Sequence, residues 1–222
     1  MRLRELKKEQ TRQLITETAW RLFADRGFDA VTVAEVAREA QVATATVFNY
    51  FATKEDLFFS RLEEFGARLV EAIAGRAEGE PAMAAFQRYV REAGGLLGRA
   101  EAGDEEAVER LRTMHRTIAA SPALQAREQR ALTGYANALA ELLATETGAP
   151  RGDVRARTAA NAMVGVQRAL IDYVRERVLA GDKLDRLAAD VRRRSDEAFA
   201  LLGDGLGDYG RAGRVRSGLN SE

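Results

Sequence analysis

The 222 residues include no cysteine. That excludes a disulfide scaffold and thiol chemistry, and it fits a reducing compartment. A single histidine, His115, is too few for a histidine-built metal site, so no metal is expected. No excess of one charge sign exists either: 34 Lys and Arg balance 34 Asp and Glu. Attraction to a polyanion would have to come from local clustering. No apolar run approaches the roughly 20 residues that span a bilayer, and the N-terminal MRLRELKKEQ lacks the apolar core of a secretory signal. We therefore expect a cytoplasmic protein with no membrane partner. Only three prolines occur, and alternating runs of β-branched residues are missing. What is abundant is alanine, leucine, arginine and glutamate, a composition that points to an all-α chain.

Ile15, Ala19, Leu22 and Phe23 recur on one helical face, which predicts a helix from about Lys7 to Arg26, ended by Gly27. Thr32-Val33-Ala34-Glu35 reads as a capping box opening a short helix with Val33, Val36, Ala37 and Ala40 on one side. After the tight connection Gln41-Val42-Ala43, a second short helix over about 44–51 turns Val47 and Phe51 inward. Thr53-Lys54-Glu55-Asp56 is another cap signature and opens a long helix to about Ala74. Two short helices joined by so brief a link make a helix-turn-helix pattern.

The second of these helices carries Thr44, Thr46, Asn49 and Tyr50 where an ordinary surface helix would carry Glu, Lys and Arg. In a helix-turn-helix unit that helix lies in the major groove, where short polar side chains reach base edges. Spacing alone serves a solvated helix in a bundle equally well. Asn49 suits the edge of an adenine, whereas Thr46 and Tyr50 suit phosphate better than bases. Lys54, in the first turn of its helix, opposes the helix dipole mildly, a cost that a phosphate at the same N-terminus would offset. Arg2, Arg4, Lys7, Lys8 and Arg12 make the N-terminal segment locally basic.

Further amphipathic helices are expected near 81–98, 104–120, 122–146, 152–180 and 183–202, separated by glycine and proline breaks. From Gly203 the chain alternates glycine with charge and reads as a disordered tail. The division is thus a helix-turn-helix domain over 1–53, a helical domain over 54–202, and a tail over 203–222.

The block from about Thr11 to Leu57 resembles the DNA-binding domain of the TetR family of bacterial transcriptional regulators. The matching residues are Ile15, Ala19, Leu22-Phe23, Gly27-Phe28, Thr32-Val33, Val36-Ala37, Val42 through Thr46, Phe51, Thr53-Lys54-Glu55 and Leu57. The resemblance implies an N-terminal three-helix reader followed by a helical ligand-binding and dimerisation domain. It also implies that Thr32, Thr44, Ala45, Thr46, Phe48, Asn49, Tyr50 and Lys54 face double-stranded operator DNA. Four positions depart from the family pattern: Gln41 stands where glycine is usual, Ala43 for a capping serine, Phe48 for tyrosine, and Tyr50 for a frequent histidine. Alanine is a poor cap, so the recognition helix is expected to start at Thr44.

In the larger domain, Phe86, Tyr89, Met114, His115, Tyr135, Asn161 and Gln167 are candidates for lining a small-molecule effector pocket. The small residues of TAANAMVGVQRAL, among them Ala162, Gly165 and Ala169, allow close helix approach, as a homodimer seam or an internal face would require. The resemblance implies that the last two helices form the dimer. No nucleophile signature, acid–base pair or phosphate loop appears, so neither an enzyme nor a bound cofactor is expected. A helical adaptor without DNA binding is the other alternative.

Overall fold

The computed structural model describes residues 2–92, 95–184 and 186–205. Among them the apolar spacing is realised as eleven helices and no strand. The first, α1 (Arg2–Arg26), continues back through the basic segment, which is helical. Gly27, at φ +82°, closes it with a 3.0 Å bond from its N–H to the Phe23 carbonyl. α2 (Val33–Glu39) opens on the expected capping box between Thr32 and Glu35. α3 (Thr44–Tyr50) follows a turn in which Gln41 adopts φ +55°. A side chain in that left-handed conformation costs roughly 1–2 kcal/mol, which is why related turns favour glycine.

The single helix expected over 54–74 is instead two, α4 (Lys54–Phe58) and α5 (Ser60–Ala74). The reason lies in packing. Leu57, Phe58, Phe59 and Ser60 are all buried, yet successive residues of a straight helix point about 100° apart. A break at Phe59 lets four consecutive side chains all find cover. The helix expected over 81–98 is likewise divided, into α6 (Ala82–Glu92) and α7 (Gly95–Glu101), and Gly95 at φ +50° begins the second part.

The remaining helices are α8 (Glu105–Ala120), α9 (Pro122–Glu146), α10 (Val154–Leu179) and α11 (Leu187–Asp204). The last starts later than expected because Leu184 turns into the core ahead of it. It also runs into the stretch read as a tail, stopping at Gly205; residues 206–222 lie outside the described residues.

Two large apolar clusters organise these helices. One gathers Ile15, Phe23, Phe28, Val36, Val47, Leu57 and Phe58 from α1 to α4, and also takes in Ile118 and Leu124 from the α8–α9 corner. The helix-turn-helix unit therefore shares its core with the larger domain. The other joins α5, α6, α9, α10 and α11 around Phe86, Leu139 and Phe199. In it Gly66 lies directly under the Tyr135 ring, where any Cβ would overlap the aromatic carbons.

The start of α3 is poorly secured. Ala43 is its N-cap, extended at φ −69°, ψ 146°, with no side-chain bond, and Thr44 is already the first helical residue. A hydroxyl at position 43 would accept one of the free N–H groups of the first turn. Ala43→Ser is accordingly expected to stabilise the N-terminal unit by about 1 kcal/mol, read as a higher urea midpoint with an unchanged slope.

Candidate functional site

Val47 anchors α3 in the core, and the opposite face is open. Thr44, Ala45, Phe48 and Asn49 are exposed on it, while Thr46 and Tyr50 are half-buried at its edges. Tyr50 leans on Phe51, with ring centroids 6.3 Å apart. Phe48, a large apolar side chain, leaves 51% of its surface uncovered. With its edges the face therefore offers three hydroxyls, an amide, two aromatic rings and the Ala45 methyl group.

Thr32 and Lys54 are employed differently. The Thr32 hydroxyl accepts the Glu35 N–H at 3.2 Å and donates to the Glu35 carboxylate at 2.9 Å. The Thr32 N–H and hydroxyl, joined by Arg26, hold the Glu35 carboxyl down to about 2. Lys54 was expected to meet a phosphate at its helix N-terminus. Its ammonium instead donates to the Phe28 carbonyl (2.9 Å) and the Val31 carbonyl (3.1 Å), 4.1 Å from the centre of the Phe28 ring. The N-terminus of α4 is itself served by Thr53 and Asp56 in a capping box. Lys54 thus ties α4 to the α1–α2 turn.

Asp56 does more than cap. One carboxylate oxygen accepts the Thr53 N–H at 3.0 Å, and the other accepts Arg127 Nε from α9 at 2.7 Å. Burial works to raise this carboxyl, but the bonds from Arg127 and Thr53 outweigh it and keep it below the usual range.

The next residue on α9, Glu128, faces a cavity of about 340 Å³. Its walls are largely apolar, with Phe59 from the α4–α5 joint, Phe65 from α5, Leu111 and Ile118 from α8, and Leu170 and Val174 from α10. Three of its lining side chains are polar and almost wholly buried: His115 (4% exposed), Glu128 (5%) and Gln167 (6%). Arg175 Nη2 donates to both Glu128 oxygens at 2.7 Å, which balances that charge. Gln167 Oε1 and His115 Nδ1 have no hydrogen-bond partner in the protein. Burial, reinforced by the charge of Arg175, pushes His115 down to about 4.

Of the expected pocket residues, Met114, His115 and Gln167 line this cavity. The others lie elsewhere. Phe86 is sealed in the second core. Tyr135 covers Gly66, its phenol raised to about 12 by burial. Tyr89 packs on Phe65 at 5.3 Å between centroids, and Asn161 is exposed, donating to the Arg157 carbonyl at 2.7 Å. Glu128 escaped the sequence reading, although a charge between Leu124 and Leu132 on an otherwise apolar stripe was a signal. A larger groove of about 440 Å³ runs between α1 and α8, lined by the charged side chains of Glu17, Arg21, Glu106, Glu109 and Arg110. On α10, Gly165 and Ala169 are exposed and Ala162 half-buried, with open space around Gly165. Among the described residues no cluster of acids or histidines could hold a metal ion, and no helix is long and apolar enough to cross a membrane.

Residues 15–60 match the sequence model of the bacterial regulatory proteins of the tetR family, and residues 80–207 match that of the MftR C-terminal domain. The chain belongs to the TetR family. TcmR of Streptomyces glaucescens, an HTH-type transcriptional regulator, is 28% identical over 153 residues, which cover 68% of this chain and 66% of TcmR. HbdR of an Aromatoleum species is 32% identical over 71 residues, 32% of this chain and 31% of HbdR. The matches thus span about two thirds of the one relative and about a third of the other. A putative mycofactocin biosynthesis regulator, MftR of Mycobacterium tuberculosis, is 28% identical over 167 residues, 72% of this chain and 77% of its own. Among solved structures, the fatty acid degradation regulator FadR of Bacillus halodurans superposes with a TM-score of 0.52 at 24% identity, covering 86% of this chain and 96% of FadR. A SmeT–triclosan complex gives 0.55 at 15%, covering 86% and 90%. Both share the fold.

Two outcomes follow from the geometry. Lys54→Met removes two charge-assisted bonds, to the Phe28 and Val31 carbonyls, and should cost about 2 kcal/mol of stability, seen as a lower urea midpoint. A Lys54→Met protein as stable as the parent would show that the inward contacts do not matter. For His115, the folded value of about 4 lies below the ordinary 6.5, so the unfolded chain takes up its proton first as pH falls. Its contribution is fully present above about pH 6.5 and is lost as pH falls to about 4, by at most about 3 kcal/mol. His115→Leu should flatten the decline in urea midpoint between pH 7 and 4.5.

Proposed function

We propose that this TetR-family chain is a sequence-specific DNA-binding transcriptional regulator. It acts as a homodimeric repressor on a pseudo-palindromic operator and is released by a small molecule held in the cavity between α5, α8, α9 and α10. TetR-family regulators bind operator DNA and small-molecule effectors and act as dimers. The observation that carries the reading is the open face of α3, polar but uncharged, on the second helix of a helix-turn-helix unit. Such side chains discriminate bases, whereas long cations mainly grip phosphate.

In this reading Asn49 pairs with the edge of an adenine, Phe48 touches a thymine methyl, and Thr44 and Ala45 complete the groove face. Thr46 and Tyr50 reach phosphate from the edges, and Thr32 and Lys54 hold the framework. Two copies join along the exposed side of α10, at Ala162, Gly165 and Ala169, together with α11. Their recognition helices then fall about one DNA turn apart, roughly 34–36 Å, or further if the dimer is wide.

The effector acts through α4. Phe59, at its end, and Glu128, beside Arg127, both line the cavity, and Arg127 grips Asp56 of α4. A ligand that moves either wall moves α4, and Lys54 passes the shift to the α1–α2 turn.

Operator sequences selected from random DNA supply the test. Asn49→Ala should weaken binding to the selected site by about tenfold, consistent with 1–3 kcal/mol for a good base contact, and leave random duplex unaffected. Equal losses on both DNAs would remove Asn49 from base reading, and a parent protein with no salt-sensitive complex on either would end the DNA-binding proposal.

A further inference from the structure

The cavity carries information about what it binds. Its lining is apolar apart from three buried polar side chains, and one of these, Glu128, is already neutralised by Arg175. Gln167 Oε1, on α10, and His115 Nδ1, on α8, are buried without a hydrogen-bond partner in the protein. A buried acceptor left unpaired is costly, and a ligand able to pair with it recovers that cost on binding. A pure hydrocarbon would leave Gln167 unpaired. A carboxylate would bring negative charge beside an amide oxygen and Glu128, and Arg175, whose Nε is unpartnered, is not among the side chains that line the cavity. An ammonium would have to compete with Arg175 for Glu128 in the face of the arginine's own charge. Either ion would lose its hydration against apolar walls.

We propose that this cavity takes an uncharged, mainly apolar molecule bearing a hydroxyl that donates to Gln167 Oε1, with His115 as the second polar partner. The proposal rests on the reading of the cavity as the effector site, and gives that site a ligand chemistry. A hydroxyl donates and accepts at once, so it is able to serve both the amide oxygen and the imidazole. The imidazole is neutral at physiological pH, because burial holds its proton affinity low, and so it offers an incoming anion no charge to pair with. The remaining volume of the 340 Å³ cavity is walled by aliphatic and aromatic side chains that suit a compact apolar body.

Four compounds with one apolar cage test this: 1-adamantanol, 1-methoxyadamantane, adamantane-1-carboxylate and the adamantyl ammonium ion. Each is titrated calorimetrically into the full chain at pH 7.5. The alcohol should bind at least about tenfold more tightly than the other three: the ether and the carboxylate leave the buried acceptor orphaned, and the ammonium, though a donor, loses its hydration against apolar walls. Gln167→Leu, close in volume, should bring the alcohol level with its methyl ether while leaving the ether's affinity within about threefold. A preference for the carboxylate or the ammonium, or an alcohol preference that survives Gln167→Leu, would overturn the hydroxyl assignment and leave the cavity a ligand site. Binding of none of the four would overturn this assignment and the effector reading of the cavity together.

Discussion

Asp56 is the side chain on which the relation between the two halves of the molecule depends. One oxygen secures the start of α4 through the Thr53 N–H, and the other holds Arg127 of α9. Helix α4 has only five residues, too few to persist without its caps and packing. The same carboxylate that lets α4 exist therefore fastens it to the larger domain. Behind this polar joint, Ile118 and Leu124 insert into the core built by α1 to α4. The helix-turn-helix unit is thus not a bead on a flexible link. Its orientation is set by a buried apolar surface and an ion pair whose side chains are both more than four-fifths covered.

That arrangement explains what was legible in the sequence. Capping boxes at Thr32–Glu35 and Thr53–Asp56, the αL closure at Gly27, and the apolar stripe of α1 all act within one or two helical turns, so local pattern suffices to find them. The resemblance of residues 11–57 to TetR-type readers added what spacing could not decide, namely that the polar helix reads DNA rather than water. Contacts between residues far apart in sequence were hidden. The inward bonds of Lys54 were among them, because its carbonyl partners, Phe28 and Val31, lie more than twenty residues back. The break at Phe59 was invisible because only the packed structure reveals that four consecutive residues are covered.

The cavity shows the same limit. It is assembled from a few residues on each of several helices, and no single stretch contains it. Polarity singled out His115 and Gln167, and both line this space. Aromatic character was a poor guide: Phe86 and Tyr135 fill closed core, whereas Phe59 and Phe65 border the space. Nothing local separates these pairs.

Arg127 and Glu128 bring the two themes together. Successive helical residues point about 100° apart, so neighbours on one turn of α9 face in different directions: Arg127 toward α4, Glu128 toward the cavity. Glu128 is in turn held by Arg175 of α10. In the proposed regulatory reading this turn of α9 is where ligand occupancy and α4 position meet. A ligand shifts such an equilibrium only by the difference between its affinities for the two arrangements. Tight binding alone is therefore not enough. The compound has to press on Phe59 or on the Glu128–Arg175 pair in one arrangement and not in the other. A molecule lodged wholly against α10 and α11 would fill space without moving α4, and would leave the spacing of the recognition helices as it was.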